Sequence, residues 1–366
     1  MNGPVTEELP AGEPAVLAID GGNSKTEVAL VAGDGTLLAQ VRGDRSNFQG
    51  IGMDEAFRVL DGLVATAARE AGVADGELIA RHTSACLAGA DLPDEEQLLT
   101  DLVHARGWTS SSLVVNDTFA VLRAGVDDDG GRGVSKYWGV GVTCGAGINC
   151  VGVAPDGETT RFLSLGAISG DWGGGGDLAR ESLWHAARAE DGRGPETELR
   201  TAVPAHFGLD TVRDVTIGCY QNKISHTDLH GLVPVLFEVA LHDDQVARDL
   251  LLRQADEVAN MAITAARRLG LTQAAMPVVL GGSILTTQHP LLSARLSEQL
   301  AAGLPAATPR IVDIPPVAGA ALLGLDRVGA PPQASARLRA CYADSPVAPL
   351  TSERPTKLAV QAGIYE

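Results

Sequence analysis

The sequence predicts an α/β fold built as two domains, and three observations lead to this prediction. Apolar runs typical of strands alternate with helical periodicity over residues 15–124. A second pattern of strand, glycine turn and strand occupies residues 137–154. The length of 366 residues favours about two domains. Because three strands joined as hairpins precede a helix–strand–helix–strand order, we expect a mixed sheet flanked by helices.

The elements of the first half follow from apolar periodicity. Strands are expected at residues 15–20, 26–32, 36–42, 82–88 and 113–116. Helices are expected at residues 54–71 and 93–106, and Pro93 with the acidic residues after it suits a helix start.

The second half begins with a loop, because residues 127–133 are rich in Asp and Gly. Strands are expected at residues 137–142, 148–154, 277–280 and 310–314. Helices are expected through most of residues 177–271, at 290–302, from Pro316 onward and at 333–342. Since the strand–turn–strand pattern returns, we expect an internal duplication.

These elements divide the chain into four parts. We expect a disordered lead-in over residues 1–13 and a first domain over residues 14–120. A larger second domain over residues 121–330 contains a helical insertion at about 177–271. A C-terminal extension covers residues 331–366, and whether it packs back on the first domain is open.

Composition restricts the partners and the compartment. A formal net charge of −18 argues against nucleic acid and anionic membranes as partners. No apolar run reaches the ~18 residues of a membrane span, and the acidic N-terminus lacks the features of a signal peptide. The cysteines are odd in number and scattered, which suits reduced thiols. We therefore expect a cytoplasmic protein.

The most informative segment is a glycine-rich turn between two predicted strands, Asp20-Gly21-Gly22-Asn23-Ser24-Lys25-Thr26. Successive N–H groups in such a turn form a concavity that binds anions. The carboxylate at the strand end, on Asp20, can hold a metal ion against a polyphosphate. Gly-Gly-Asn is also a good hairpin turn without any ligand, so both interpretations stay open here.

A second carboxylate, on Asp117, follows the apolar run at residues 112–115 and precedes a helical segment. Asp is a favoured N-cap, so Asp117 could simply cap that helix. The carboxyl end of a strand is also where open α/β sheets bind ligands. There Asp117 could accept a hydroxyl proton during phosphoryl transfer. Both roles are compatible.

Two polar loops are further candidates. Ser46 and Asn47 follow a strand, and the amide of Asn47 offers a donor and an acceptor that match sugar hydroxyls. Residues 170–177 include four consecutive glycines, which predict either a flexible loop or a loop that approaches a ligand closely. In the second case Asp171 would accept hydrogen bonds and Trp172 would stack on a sugar face.

Three more short segments, rich in small residues, occur along the chain. They are Thr143-Cys144-Gly145-Ala146-Gly147, Gly281-Gly282-Ser283 and Pro316-Val317-Ala318-Gly319-Ala320. The ordered set resembles the BadF/BadG/BcrA/BcrD-type ATPase family of the sugar kinase–Hsp70–actin superfamily. Within that family it is similar to N-acetylglucosamine and glucosamine kinases. The resemblance covers roughly residues 15–325.

The resemblance implies two ribonuclease-H-like (actin-like ATPase) domains, with ATP and sugar in the cleft between them and Asp20 positioning Mg²⁺. Asp117 would be the general base toward the sugar 6-hydroxyl. Substrate-binding positions would be Ser46, Asn47, Asp117, Thr143, Gly145, Asp171 and Trp172. Nucleotide-binding positions would be Gly21, Gly22, Asn23, Ser24, Lys25, Thr26, Thr143, Gly145, Gly281, Gly282, Ser283, Ala318 and Gly319.

Two departures from the family pattern bear on the substrate. Cys144 follows Thr143 where relatives carry Gly-Thr-Gly-Ser, and Trp172 replaces the acid of a Gly-Asp-Glu-Gly motif. The indole changes charge and shape beside the predicted sugar site, so we expect a glucosamine kinase that forms glucosamine 6-phosphate. N-acetylglucosamine is the alternative substrate.

A function of another class is an ATPase that activates a dehydratase or reductase. Such members of the family hold a cluster with cysteines at a dimer interface, and the contexts of Cys144 and Cys150 do not suit one. The expected partners are therefore an amino sugar and ATP, with no nucleic acid and no membrane. The resemblance favours a homodimer.

Overall fold

The computed structural model describes residues 12–126 and 135–343. Most of the predicted lead-in over residues 1–13, the predicted loop at residues 127–133 and the end of the C-terminal extension lie outside the described residues. None of the helices in the described part is both long and apolar enough to span a membrane.

The first sheet has five strands in the order β3-β2-β1-β4-β5. The strands are β1 (Pro14–Gly21), β2 (Thr26–Ala32), β3 (Leu37–Gly43), β4 (Ala80–Leu87) and β5 (Thr109–Asn116). Strands β1 and β2 form an antiparallel hairpin, whereas β1, β4 and β5 run parallel. Their helices are α1 (Phe48–Ile51), α2 (Met53–Glu70), α3 (Pro93–His104) and α4 (Asp117–Ala124). The carboxyl ends of β1, β4 and β5 therefore meet at one edge.

The second sheet repeats this arrangement, with the order β10-β9-β6-β7-β8. The strands are β6 (Gly139–Cys144), β7 (Ile148–Val153), β8 (Thr159–Arg161), β9 (Pro277–Gly281) and β10 (Thr308–Ile311). Strands β6 and β7 form the antiparallel hairpin and β9 pairs parallel to β6. The expected return of the hairpin pattern is therefore present.

The helices of the second half lie mostly between β8 and β9. They are α5 (Gly175–Glu190), α6 (Leu199–Phe207), α7 (Val212–Tyr220), α8 (His226–Leu229), α9 (Leu232–Leu241) and α10 (Gln245–Arg268). Beyond β9 follow α11 (Ser283–Thr286), α12 (Pro290–Gly303), α13 (Pro316–Arg327) and α14 (Pro332–Ala343). The predicted helical run is thus six helices, and the predicted helices near residues 290, 316 and 333 are confirmed.

Several predicted boundaries were shifted; β5, for example, begins at Thr109 and not at residue 113. Two further differences lie in the second half. The last strand was expected at residues 310–314, but β10 ends at Ile311 because only residues 308–311 pair with β9. The second glycine turn was expected to begin at Thr143, yet Thr143 and Cys144 still pair with β7. Only residues 145–147 form the turn itself.

The end of the described chain packs on the first sheet. One apolar cluster joins Val16 and Val31 of that sheet to Val317 of α13 and to Leu338 of α14. Arg337 of α14 also pairs with Asp34 in the turn between β2 and β3. The described part of the extension therefore contacts the first sheet. The predicted domain limits themselves stay a prediction.

Helices α4 and α13 cross in close contact between the sheets. A Cβ atom at Gly319 of α13 would lie 1.9 Å from the carbonyl oxygen of Ala120, so the crossing requires glycine. Nearby, the fully buried Arg123 donates from Nε and Nη2 to Asp326 of α13, at 2.7 and 3.3 Å. This ion pair ties together the two helices at the crossing.

We expect Asp326→Asn to lower the free energy of unfolding by about 3 kcal/mol, because it removes the carboxylate charge that pairs with the buried guanidinium of Arg123. Asp256→Asn is the matched control, since Asp256 forms the same two-bond contact with Arg295 at 2.7 and 3.2 Å on the surface. The control should change stability by at most ~1 kcal/mol. Urea unfolding measures the free energy of unfolding of both variants and of the wild type. Equal losses of stability in the two variants would contradict the prediction.

Candidate active site

A cavity of about 400 Å³ lies between the two sheets, and both glycine turns open into it. The predicted site residues among its lining are Asp20, Gly22, Asn23, Ser24, Lys25, Asn47, Asp117, Thr143, Gly145, Gly282 and Ser283. Positions far apart in the sequence are thus brought to one place. The roles assigned to them remain predictions.

The turn between β1 and β2 is closed by the N–H group of Gly22, which donates to the carbonyl of Lys25 at 2.9 Å. Behind it, the Thr26 hydroxyl donates to Ser46 Oγ at 2.8 Å. Asn47 donates from Nδ2 to Oδ1 of Asn23 at the tip of the turn. The polar loop after β3 therefore supports the turn. Ser46 contacts Thr26 and does not itself line the cavity.

The second turn is supported by the four-glycine segment. The N–H of Gly175 donates to the carbonyl of Gly145 at 2.7 Å, and that of Gly176 donates to the carbonyl of Ala146 at 2.9 Å. Gly174 has φ +83°, and a Cβ there would lie 2.5 Å from the carbonyl carbon of Gly147. Gly175 and Gly176 thus begin α5, with Gly174 as its N-cap, and the segment packs against the second turn. The close approach of this segment to a ligand stays a prediction.

Two carboxylates face the cavity at the ends of parallel strands. Burial raises the pKa of Asp20 to about 8, with Asp117 and Glu27 adding to the rise and Lys25 opposing it. Asp117 is partly open to the cavity but lies deep in the fold, and this desolvation raises its pKa to about 6. Both carboxyl groups thus bind protons far more readily than in water.

The N-cap of α4 is Asn116, whose Oδ1 accepts from the N–H of Thr118 at 3.0 Å. The suggestion that Asp117 itself caps the helix is therefore wrong. Asp117 is the first helical residue, and its carboxylate faces the cavity. The cap is supplied by the preceding residue because Asn116 has the extended backbone of a cap, with φ −60° and ψ 144°.

A chain of polar side chains beside Asp117 was missed by the sequence analysis. Asn116 donates from Nδ2 to Asp91 Oδ1 at 2.9 Å, and Asn149 donates from Nδ2 to Asn116 Oδ1 at 3.1 Å. Ser164 donates to Asn149 Oδ1 at 2.5 Å. All four residues line the cavity. The sequence did hold a signal for Asp91 as a site residue, because Asp91 follows β4 and therefore lies at the same sheet edge as Asp20.

The remaining predicted positions lie outside the lining of this cavity. Gly21 and Gly281 are strand residues at its margin, and Ala318 and Gly319 are buried on α13, where Gly319 serves the helix crossing. These positions do not meet the cavity because their backbones face neighbouring packed elements.

Asp171 and Trp172 are also absent from the described lining. Ser169 donates to the carboxylate of Asp171. The guanidinium of Arg253 lies 3.7 Å from the ring centroid of Trp172, and the ring packs against the core of the second sheet. In this arrangement Arg253, and not the cavity, lies over a face of the Trp172 ring. Stacking of Trp172 on a sugar stays a prediction.

The donor set at Asp20 fits a Mg²⁺ ion bound together with a polyphosphate. Mg²⁺ is usually held by one or two carboxylates, with water and phosphate oxygens completing its coordination. Asp20 supplies such a carboxylate into the cavity. No group of three or more His, Cys, Asp or Glu side chains in residues 12–126 and 135–343 could form an all-protein metal site.

Two similar five-stranded sheets, each with a glycine turn at one shared cleft, form the actin-like fold that solved sugar kinases also have, which confirms the predicted fold class. The chain belongs to the BadF/BadG/BcrA/BcrD ATPase family, whose profile matches residues 17–324. The family resemblance inferred from the sequence is thereby confirmed.

Two relatives have assigned activities. An N-acetyl-D-glucosamine kinase of Dictyostelium discoideum is 27% identical over 318 residues, covering 85% of this chain and 97% of the relative. An N-acetylmuramic acid/N-acetylglucosamine kinase of Clostridium acetobutylicum is 26% identical over 245 residues, covering 66% and 76%. The chain therefore spans most of both relatives.

Solved structures share the fold. A putative N-acetylglucosamine kinase from Chromobacterium violaceum matches with a TM-score of 0.65 and 22% identity, over 86% of this chain and 99% of the other. A ROK family glucokinase from Streptomyces griseus, solved with glucose and AMPPNP, matches with a TM-score of 0.51 and 14% identity, over 86% and 98%.

We expect Gly174→Ala to weaken binding of Mg²⁺·ATP by about tenfold or more, because the new methyl group displaces the second turn. Gly192→Ala is the matched control, since Gly192 also has a positive φ, +78°, but its Cβ would meet open space. Calorimetric titration, run well below each variant's melting temperature, compares the two. Equal affinities in both variants would show that support of the turn does not govern nucleotide binding.

We expect Asp20→Asn to stabilise the ligand-free protein at pH 8 by at least ~1 kcal/mol. Burial raises the pKa of Asp20 in the folded protein from its ordinary value of 3.8 to about 8. Ionising this group therefore opposes folding increasingly as the pH rises from 3.8 to about 8. The gain should shrink toward pH 5. Thermal melting of both proteins at each pH measures it.

The same substitution should abolish the stabilisation that Mg²⁺·ATP gives to the wild-type protein. A variant that is less stable than the wild type at pH 8, or that retains the full stabilisation by nucleotide, would contradict this account of Asp20.

Proposed function

We propose that the protein is an ATP-dependent kinase that phosphorylates the 6-hydroxyl of an amino sugar, with N-acetylglucosamine as the acceptor. The observation that carries the proposal is the single cavity lined by both glycine turns and by Asp117. Two relatives that are named as N-acetylglucosamine kinases, similar over 66% and 85% of the chain, support this choice of acceptor.

The position of Trp172 bears on the earlier preference for glucosamine. Glucosamine was favoured because an indole beside the sugar would disturb recognition of the acetyl group. The ring of Trp172 is covered by Arg253 and packs on the core of the second sheet. The departure from the family motif therefore gives no reason to reject an acetylated sugar.

Phosphoryl transfer requires positioning and stabilisation of charge more than covalent chemistry. The N–H groups of the two turns would bind the phosphates of ATP from opposite sides of the cavity. Mg²⁺ held at Asp20 would neutralise charge on the phosphates. Asp117 would accept a hydrogen bond from the 6-hydroxyl and take its proton as the hydroxyl oxygen attacks the γ-phosphorus. The bond from that phosphorus to the β-phosphate oxygen would break, and ADP would leave with the electron pair.

The acceptor is tested by measuring ADP release with N-acetylglucosamine, glucosamine, glucose and no sugar. We expect kcat/KM for N-acetylglucosamine to exceed that for glucosamine by about tenfold or more, since an acetyl-binding pocket is filled by only one of them. A preference for glucosamine of similar size would overturn the choice of acceptor, and sugar-independent ADP release would overturn the kinase proposal.

Asp117→Asn is expected to lower kcat by about 10²-fold or more and to leave sugar affinity nearly unchanged, because it removes the proton acceptor and preserves the shape. The wild-type kcat/KM should fall as the pH drops below about 6, where Asp117 gains its proton. Near-native turnover of the variant would remove Asp117 from the mechanism.

A further inference from the structure

Asp91 is a buried carboxylate on the cavity wall to which the proposed chemistry gives no role. It lies in the turn between β4 and α3, and only 8% of its surface is exposed. It lines the same cavity as Asp20 and Asp117. The three acids thus stand at the carboxyl ends of three neighbouring parallel strands.

Both the backbone and the side chain of Asp91 are held in place. Its N–H donates to Oε2 of Glu95 at 3.0 Å, and its Oδ1 accepts from Nδ2 of Asn116 at 2.9 Å. The turn itself is anchored, because Gln49 donates from Nε2 to the carbonyl of Gly89 at 3.1 Å. A carboxylate whose backbone and side chain are both held by hydrogen bonds is pre-organised to recognise a ligand.

Burial of this acid is electrostatically unfavourable in the ligand-free protein. Desolvation raises the pKa of Asp91 to about 7, and the charges of Asp117 and Glu95 add to the rise. An asparagine could accept the same bond from Asn116 without this penalty. A buried acid with a perturbed pKa in a cleft is typical of a functional position.

The surrounding groups indicate what Asp91 binds. The cavity near it also exposes the amides of Asn47, Gln49 and Asn149. Such a set of carboxylate and amide groups matches an acceptor with several hydroxyls, because a carboxylate only accepts hydrogen bonds whereas amides also donate.

We propose that Asp91 is a further acceptor-binding residue, whose carboxylate accepts a hydrogen bond from a ring hydroxyl of the sugar other than the 6-hydroxyl. The proposal rests on the proposed sugar kinase function. Asn116 links this residue to the base: it bonds to Asp91 and directly precedes Asp117. The bound hydroxyl would thereby fix the orientation of the sugar relative to Asp117.

The test compares the wild type with Asp91→Asn on N-acetylglucosamine and on its 3-deoxy and 4-deoxy analogues. A hydrogen bond to a charged group predicts a rise in KM for the full sugar of about tenfold or more in the variant. For one of the deoxy sugars the two proteins should have equal KM, because the hydroxyl that Asp91 binds is already missing. A structural role alone would raise KM for all three sugars by the same factor.

Two controls make the result specific. Asp94→Asn removes the same charge from an exposed position in the first turn of α3, outside the cavity, and should change no KM. The affinity of Asp91→Asn for Mg²⁺·ATP, measured by calorimetry, should equal that of the wild type and report that the variant is folded.

The outcomes separate this inference from the proposed function. Suppose that the wild type phosphorylates N-acetylglucosamine, and that Asp91→Asn changes KM by the same factor for all three sugars or does not change it. This result would overturn the role of Asp91 and leave the proposed function intact. A wild type that phosphorylates no sugar of the panel would overturn the proposed function and the sugar-binding role together. Loss of Mg²⁺·ATP binding in Asp91→Asn would assign the residue to the nucleotide side and overturn the inference as well.

Discussion

The site depends on one constraint: three carboxylates are buried where the parallel strands β1, β4 and β5 end. Asp20, Asp91 and Asp117 line one cavity, and burial raises the pKa of each above the value in water. Removing carboxylates from water is unfavourable unless cations or hydrogen-bond donors compensate them. Lys25 at Asp20 and the hydrogen bonds from Thr118 at Asp117 oppose the rise, but desolvation by burial outweighs them.

The two glycine turns meet the opposite requirement, because they offer N–H groups to anions. Each turn is held by groups from distant parts of the chain: the first by the loop at Ser46 and Asn47, the second by the backbone of Gly175 and Gly176. Beside this contact, a Cβ atom at Gly174 would lie 2.5 Å from the carbonyl carbon of Gly147, so the close backbone approach there requires glycine.

The sequence predicted most strands and helices, because their signals are local periodicities that tertiary contacts did not override. It also predicted the segments that line the cavity, since hairpin turns and strand ends can be recognised in the sequence. Asp91 was missed because Asp91-Leu92-Pro93 has the pattern of an ordinary helix start. The places of Trp172 and Gly319 depend on Arg253 and Ala120, which are distant in sequence, so no local pattern could reveal them.

Ligand binding and proton release should be linked in such a site. Hydroxyl donors and a divalent cation both favour the ionised form of a carboxylate, so they lower pKa values that burial has raised. In the ligand-free protein, protonation relieves the repulsion among Asp20, Asp91 and Asp117 and thus protects the fold. Under the proposed function, entry of nucleotide and sugar would favour the charged forms of these groups, so that Asp117 would be a competent base when its substrate is present. The raised pKa values are therefore compatible with catalysis near neutral pH.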